Sequence, residues 1–361
     1  MVFYMMNEIL LKLFECCEAN LASDIHITSG EAPYLRIHGK LSVMQGFDVI
    51  STEQSFELAL SLMLGMNGED SEDASVKALA SARAIDGAVS SPAGSRYRFN
   101  IFKQNNGYGI ALRRLDDEFL SLGQLGLPEQ LEAFCKMSHG LVIVSGPTGS
   151  GKSTTIATLL DMINSARPGH IITIEDPIEY IHKSKQCLVQ QRQIGRDAVD
   201  FNSALVEALR QDPDTIFVGE MREIETMRTA ITAAETGHLV FTTLHSGDTV
   251  GAIERFVAVF PEGEQESIRQ QLSLVLRGVF AQRLLPGKEE GCRRVVSNEL
   301  LLVTPAVSNL IATGKSRQIT SMMQTGRASG MITFEESVNQ LYNSGRISSE
   351  IYKEQQSIQQ R

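Results

Sequence analysis

Along the first hundred residues, apolar positions alternate in short runs and recur with helical spacing in longer ones. DIHIT (24–28) and YLRIHG (34–39) read as strands, with Gly30 and Pro33 marking the turn between them. EQSFELALSLML (53–64) has helical periodicity, and the acidic tract NGEDSED (67–73) reads as a loop. RYRFNIF (96–102) sets Tyr97, Phe99 and Ile101 on one face and Arg96, Arg98 and Asn100 on the other. After QNNGYG, a hairpin turn by composition, IALRRL continues as its partner strand. The opening MVFYMMNEILLKLFECC carries Glu8, Lys12 and Glu15 at intervals. It lacks a positive n-region and a small-residue cleavage site, so it reads as an amphipathic helix and not a signal peptide. Residues 1–113 thus form a small α+β domain.

Residues 114–138, with Gly123, Gly126 and Pro128, read as a linker. From Leu141 the pattern changes, and apolar runs of four to six residues alternate with helical segments. Buried parallel strands joined by crossover helices have this signature, so residues 139–361 read as an α/β domain. The stretch from about Glu262 onward reads as mostly helical. There is no internal repeat and no low-complexity segment.

LVIVSGPTGSGKSTTIATLLDMI carries G-x-x-x-x-G-K-S from Gly146 to Ser153, after a strand and before a helix. This is the context a nucleotide phosphate loop requires, and it argues against a chance glycine-rich turn. Gly146, Gly149 and Gly151, with Pro147, Thr148 and Ser150 between them, let the backbone curl so that successive N–H groups point at phosphate oxygens. The helix from near Lys152 turns its positive end toward the same anion. Lys152 suits the β- and γ-phosphates of ATP, Ser153 suits Mg²⁺, and Thr154 lies close behind.

In an open α/β sheet, ligands sit beyond the carboxyl ends of the strands. IITI (171–174) ends at Glu175, TIFVG (215–219) at Glu220, and LVFTTL (239–244) at His245. Each alone reads as a solvated loop residue; beside a phosphate loop they read jointly as one site. Glu220 takes the place of the acid that follows such a strand, preceded by Gly219 where an aspartate is usual. It suits either Mg²⁺ through water or the attacking water, and Glu175 competes for the general-base role. Asp176 and Glu179 flank Pro177 as they would at a helix start, or pair with basic groups, or support the groups around the metal. His238 and His245 are too far apart for a zinc-finger histidine pair. A continuous strand separates them by roughly 20 Å. They therefore read as two sites, with His245 at the nucleotide and His238 at a local carboxylate such as Glu235 or across a subunit boundary.

Composition narrows the class. A chain of 361 residues favours two domains, and 42% hydrophobic with 21% charged residues is ordinary for a soluble globular protein. A net charge of −10 argues against sequence-independent nucleic-acid binding. The cysteines Cys16, Cys17, Cys135, Cys187 and Cys292 are odd in number with no C-x-x-C pair, so they read as reduced thiols.

GPTGSGKST, IITIEDPIEY, ALRQDPDTIFVGEMREIETM and TGHLVFTTLHS follow one another along the chain. The set resembles the Walker A, Asp box, Walker B and His box of the secretion ATPase superfamily of type II and type IV secretion and type IV pili. From ASDIHITSGEAPYLRIHGKL to QTGRASGMITFEESVNQLYNSGRIS the chain is most similar to type IV pilus retraction ATPases of the PilT/PilU type. The resemblance implies a RecA-like P-loop ATPase domain with a smaller PAS-like α+β N-terminal domain. It further implies a cytoplasmic homo-hexameric ring, peripheral at the inner-membrane pilus machine, that turns a platform protein, alone or beside a paralogous retraction ATPase; the acidic balance, with no basic, aromatic-interleaved stripe, speaks against nucleic acid. Arginines of the N-terminal domain and linker reach the nucleotide in such proteins; the matching positions are Arg96, Arg98, Arg113 and Arg114, for which a solvated surface ladder is the alternative. Extension ATPases carry a four-cysteine zinc motif, where this chain has only Cys292. ESIRQQLSLVLRGVFAQRLLP fits the retraction helix at Arg269, Leu272 and Ser273 and otherwise leans toward PilU-like members. The alternatives are a related ATPase of type IVB secretion or conjugation, and a PilU-like accessory ATP-binding subunit.

Overall fold

The computed structural model describes residues 7–37, 40–67, 72–104, 107–115, 119–288 and 294–359. The chain divides into one unit of Met1–Glu118 with Pro177–Ile181 and another of Phe119–Asp176 with His182–Arg361.

The first unit contains α1 (Glu8–Ala19), β1 (Asp24–Thr28), β2 (Tyr34–Ile37), β3 (Lys40–Val43), α2 (Thr52–Asn67), α3 (Glu72–Ser81), β4 (Ala84–Ser90), β5 (Arg96–Gln104) and β6 (Gly107–Leu115). Its strands form an antiparallel sheet in the order β3-β2-β1-β6-β5-β4, the PAS-like α+β arrangement. α1 begins at the side-chain cap of Asn7 and buries Leu10, Leu13, Phe14 and Cys17, one stripe at helical spacing. That stripe meets the apolar face of β5, where Phe14 and Tyr97 rings lie 4.5 Å apart. The expected alternation holds, with Tyr97, Phe99 and Ile101 buried and Arg96, Arg98 and Asn100 half-buried. The acidic tract expected as a loop lies partly outside the described residues, and its end, Glu72 and Asp73, opens α3 instead.

The second unit opens with short helices α4 (Leu122–Leu125) and α5 (Glu132–Cys135). Then come β7 (Gly140–Ser145), α6 (Lys152–Ala166), β8 (Gly169–Glu175), β9 (Cys187–Gln193), α7 (Phe201–Ala208), β10 (Thr215–Val218), α8 (Ile224–Glu235), β11 (Leu239–Leu244) and α9 (Thr249–Ala258). It closes with α10 (Gln265–Val275), β12 (Leu276–Leu285), β13 (Val295–Leu302), α11 (Pro305–Ala312), α12 (Ile319–Thr325), α13 (Phe334–Asn343) and α14 (Ser349–Gln359). Thus the segment read as a linker gives Arg114 and Leu115 to β6, and from Phe119 onward it belongs to the second unit.

The sheet order is β13-β12-β7-β11-β10-β8-β9, parallel except for β13. Successive residues of β7 face opposite layers: Leu141 and Ile143 pack toward α8, α9 and α10, while Val142 and Val144 pack toward α6. Both faces are covered, so the central strands are apolar without alternation.

Two sequence expectations are corrected. LSLVLRGVFAQRLLP continues its helical spacing in sequence, yet the helix stops at Val275 and the chain runs on as β12. Without β12, one side of β7 would be an edge of unpaired backbone groups. Gly278 permits the pairing, because any side chain there would collide with the ring of Phe134. β13 then pairs antiparallel with β12, so the chain beyond Glu262 is not mostly helical. Nor do Asp176, Pro177 and Glu179 open a helix; the chain between β8 and β9 is irregular. Cys17, Cys135 and Cys187 are buried free thiols and Cys16 is half-buried and free, while Cys292 lies outside the described residues. No helix among the described residues is long and apolar enough to cross a membrane.

Candidate active site

β7, β11, β10 and β8 are adjacent and parallel, so their carboxyl ends share one edge. Register makes this explicit: Leu244 pairs with Ser145, Thr242 with Val218, and Val218 with Ile174. The phosphate loop, His245, Glu220 and Glu175 therefore all emerge at that edge.

The loop leaves β7 at Ser145 and enters α6 at Lys152. Gly146, Gly149 and Gly151 take φ of 153°, 75° and 90°, the curl that glycine adopts without a Cβ clash. Gly146 also lies against the backbone carbonyl of Gln282, which leaves no room for a side chain. Pro147, Thr148 and Gly149 form the exposed crest, Ser150 and Lys152 are buried, and Ser153 and Thr154 are half-buried in the first turn of α6. Lys152 Nζ donates to the carbonyls of Gly146 at 2.9 Å and Pro147 at 3.2 Å. This fold-back holds the ammonium at the loop that an anion would occupy.

Glu220 Oε1 receives Arg222 Nε at 2.7 Å and lies 3.4 Å from His245 Nε2. Burial is the main cause of a lowered His245 pKa, and the Lys152, Arg222 and Arg255 cations act with it against Glu220. The imidazole is therefore neutral at pH 7, and its 3.4 Å approach to Glu220 is not an ion pair. The His245 carbonyl is held by Arg255 Nη1 at 2.8 Å, and Thr243 Oγ1 donates to the Gly219 carbonyl, tying β11 to β10 just before Glu220. Glu175 is more enclosed. Its Oε1 accepts from Thr173 Oγ1 at 2.6 Å and Gln191 Nε2 at 3.2 Å.

His238 lies at the opposite end of β11, where no hydrogen bond or ion pair among the described residues joins it to Glu235. Its Nδ1 is 2.9 Å from the Ala233 carbonyl at the end of α8, so the expected carboxylate partner is replaced by a helix-terminal carbonyl.

The four arginines belong to the first unit. Arg98 and Arg113 are direct cross-strand partners, a like-charge pairing that needs compensation. Asp24 supplies it to Arg113 at 2.9 Å and Glu179 to Arg98 at 3.4 Å. Arg96 Nη1 donates to Ser90 Oγ at 3.2 Å. Arg114 instead pairs with Tyr97 on the other face of the sheet, so the four do not form one ladder.

The sequence profile of the type II/IV secretion system protein family matches residues 5–361. The chain belongs to this family. Within it, the chain is 41% identical over 337 residues to the type IV pilus retraction ATPase PilT of Pseudomonas aeruginosa, covering 93% of this chain and 95% of that one. It is 38% identical over 329 residues to the type IV pilus ATPase PilU of the same organism, covering 91% and 83%. A solved structure of the pilus retraction motor PilT with bound ADP superposes with a TM-score of 0.86 at 41% identity, covering 96% of each chain.

Sequence reasoning missed several neighbours of the site in this family member. Arg222 carried a local signal, two residues after Glu220. Gln282 and Arg283 carried none, because they lie in the stretch read as helix. Arg283 Nη2 donates to the Gly247 carbonyl at 2.8 Å, and its guanidinium stacks 4.1 Å over Phe334. Glu299 of β13 accepts from Thr249 N at 2.9 Å and Oγ1 at 3.1 Å at the start of α9.

Proposed function

We propose that the chain is the ATP-hydrolysing motor of type IV pilus retraction, working as a homo-hexamer on an inner-membrane platform protein from the cytoplasmic side. The observation that carries this reading is its 41% identity, spanning both domains, to a pilus retraction ATPase. The convergence of the phosphate loop, Glu220 and His245 at one sheet edge supports the chemistry.

In this reading Gly146–Thr154 cradle the phosphates through backbone N–H groups, and Lys152 turns from the Gly146 carbonyl to the β- and γ-oxygens. The oxygen donors at hand, the Ser153 hydroxyl and the Glu220 carboxylate, suit Mg²⁺, a hard cation that takes its remaining ligands from phosphates and water. Held by these residues, Mg²⁺ would supply positive charge to offset that on the transferring phosphoryl group. Glu220, less enclosed than Glu175 and already paired with Arg222 and His245, orients the attacking water. Neutral His245 accepts or donates a hydrogen bond where the γ-phosphate changes. Glu175, held by Thr173 and Gln191, braces the edge. Arg96, Arg98 and Arg113 are the candidates for reaching phosphate oxygens; Arg114, on the other face, is left out of that group.

The 38% identity to PilU favours one second reading, an accessory ATPase that assists a paralogous motor. Deletion in the source bacterium, scored for surface pili and twitching, tests both. Hyperpiliation without motility is the expected result, and normal retraction that fails only under load supports the accessory role. Bald cells, or intact pili with a secretion defect, would refute both.

A further inference from the structure

We infer that Gln282 is a positioning residue of the phosphate loop, one that sets the direction of a phosphate-binding N–H through its side-chain carboxamide. The inference rests on the proposed nucleotide site at that loop.

β12 runs parallel to β7, and the last pair of their ladder is Ala281 with Ser145. Beyond it β7 becomes the loop at Gly146, while β12 extends further alongside. On the β7 side Gln282 is thus the first residue of β12 to face the loop, while on its other side it pairs with Asn298 of β13, and it is 1% exposed. It meets the loop at three points. Its backbone carbonyl lies against Gly146. Its Nε2 donates to the Ser150 carbonyl at 2.6 Å, and its Oε1 accepts from Thr155 Oγ1 at 2.7 Å.

The chemistry of these partners fixes the amide. A carbonyl can only accept, so the NH₂ must face Ser150, which leaves the oxygen for the Thr155 hydroxyl. No other uncharged side chain of that length offers a donor and an acceptor from one plane. A trans peptide carries its C=O and N–H on opposite sides. The grip on the Ser150 carbonyl therefore fixes the direction of the Gly151 N–H, one of the donors a phosphate loop presents. Gripping Thr155 at the same time ties that peptide to the first turns of α6, whose positive end faces the same anion. Both bonds are buried, where leaving a carbonyl or hydroxyl unsatisfied is costly.

The test measures ATP KM, kcat and ADP affinity, together with the thermal midpoint without nucleotide. Gln282→Leu should raise KM and the ADP dissociation constant by about 25-fold, about five-fold for each lost hydrogen bond, with a smaller change in kcat. Gln282→Glu, which keeps the shape but turns an oxygen toward the Ser150 carbonyl, should weaken binding at least as much. Thr155→Val should cost about five-fold and Thr155→Ser should restore wild-type values. Gln282 variants that lower the thermal midpoint but bind nucleotide within about two-fold of wild type would make the residue a structural brace and overturn the inference. If the Gln282 variants do not fold, the Thr155 pair decides: weakened binding in Val with normal binding in Ser supports it, and normal binding in both overturns it. A wild-type protein that binds no ATP would refute the nucleotide site itself, a different result from wild-type binding that the substitutions leave unchanged.

Discussion

Nε2 of His245 stands 3.4 Å from Oε1 of Glu220, though the two residues leave different strands. β10 and β11 are parallel neighbours, so both chains turn out of the sheet at one edge and bring the side chains together. The phosphate loop reaches that edge from the other side of β11. If Glu220 orients the attacking water as proposed, a histidine this close can report the state of the γ-phosphate to it.

Removing the carboxylate should separate binding from hydrolysis. Glu220→Gln is expected to retain ATP affinity and to lose roughly 10²-fold or more in turnover, the usual contribution of a positioned base. Steady-state turnover alongside fluorescent-nucleotide binding measures both; wild-type turnover would remove Glu220 from the mechanism.

The pH profile should carry the His245 signature. Its pKa is lowered from the ordinary 6.5, chiefly by burial and then by Lys152, so the neutral form prevails at pH 7 and protonation begins only on the acid side. Turnover should hold level down to about pH 6.5 and decline below it. His245→Asn should be slower and lack that acid limb, and an unchanged limb in the variant would assign it elsewhere.

Lys152→Ala should abolish turnover, since the ammonium now held at the Gly146 and Pro147 carbonyls is the only charge on the loop itself. Undiminished hydrolysis by the purified variant would refute the ATPase assignment.

Charge removal at Arg96, Arg98 or Arg113 should lower turnover more than nucleotide binding if a guanidinium acts on transition-state charge. Arg114→Gln should cost stability instead, because Arg114 shares its face with buried Tyr97. Chemical denaturation and turnover, run on all four variants, distinguish the groups.

His182 makes stability fall on the acid side. It stacks on Phe119 at 4.7 Å, and burial lowers its pKa from 6.5 to about 4. Between those values the unfolded chain binds a proton that the native state refuses. Stability is therefore complete above pH 6.5 and is lost as pH falls through the window, by roughly 2–3 kcal/mol at pH 4.5. Urea midpoints for wild type and His182→Gln at pH 7 and 4.5 measure it; equal pH dependence in both would exclude His182 as the source.

Much of this protein is legible along the chain. The alternation at Tyr97, Phe99 and Ile101, the stripe of α1 and the loop from Gly146 to Ser153 are local patterns, set by side-chain periodicity and glycine spacing. The endings of the apolar runs at Glu175, Glu220 and His245 could also be read, because parallel strands share a direction. What the sequence could not supply was strand order. LRGVFAQRLL has apolar spacing that suits a helix, and only the unpaired side of β7 decides that it becomes β12. That choice carries Gln282 to the phosphate loop, 132 residues away in sequence, and Arg283 to Gly247, 36 residues away. His238 shows the same division: its distance from His245 followed from strand length, but its partner, the Ala233 carbonyl, depended on how α8 ends beside β11. Residue type and spacing determine which groups can do chemistry, because those are short-range properties of the backbone. Which of them meet is decided by hydrogen bonding and burial between segments distant in sequence, and only the folded sheet contains that information.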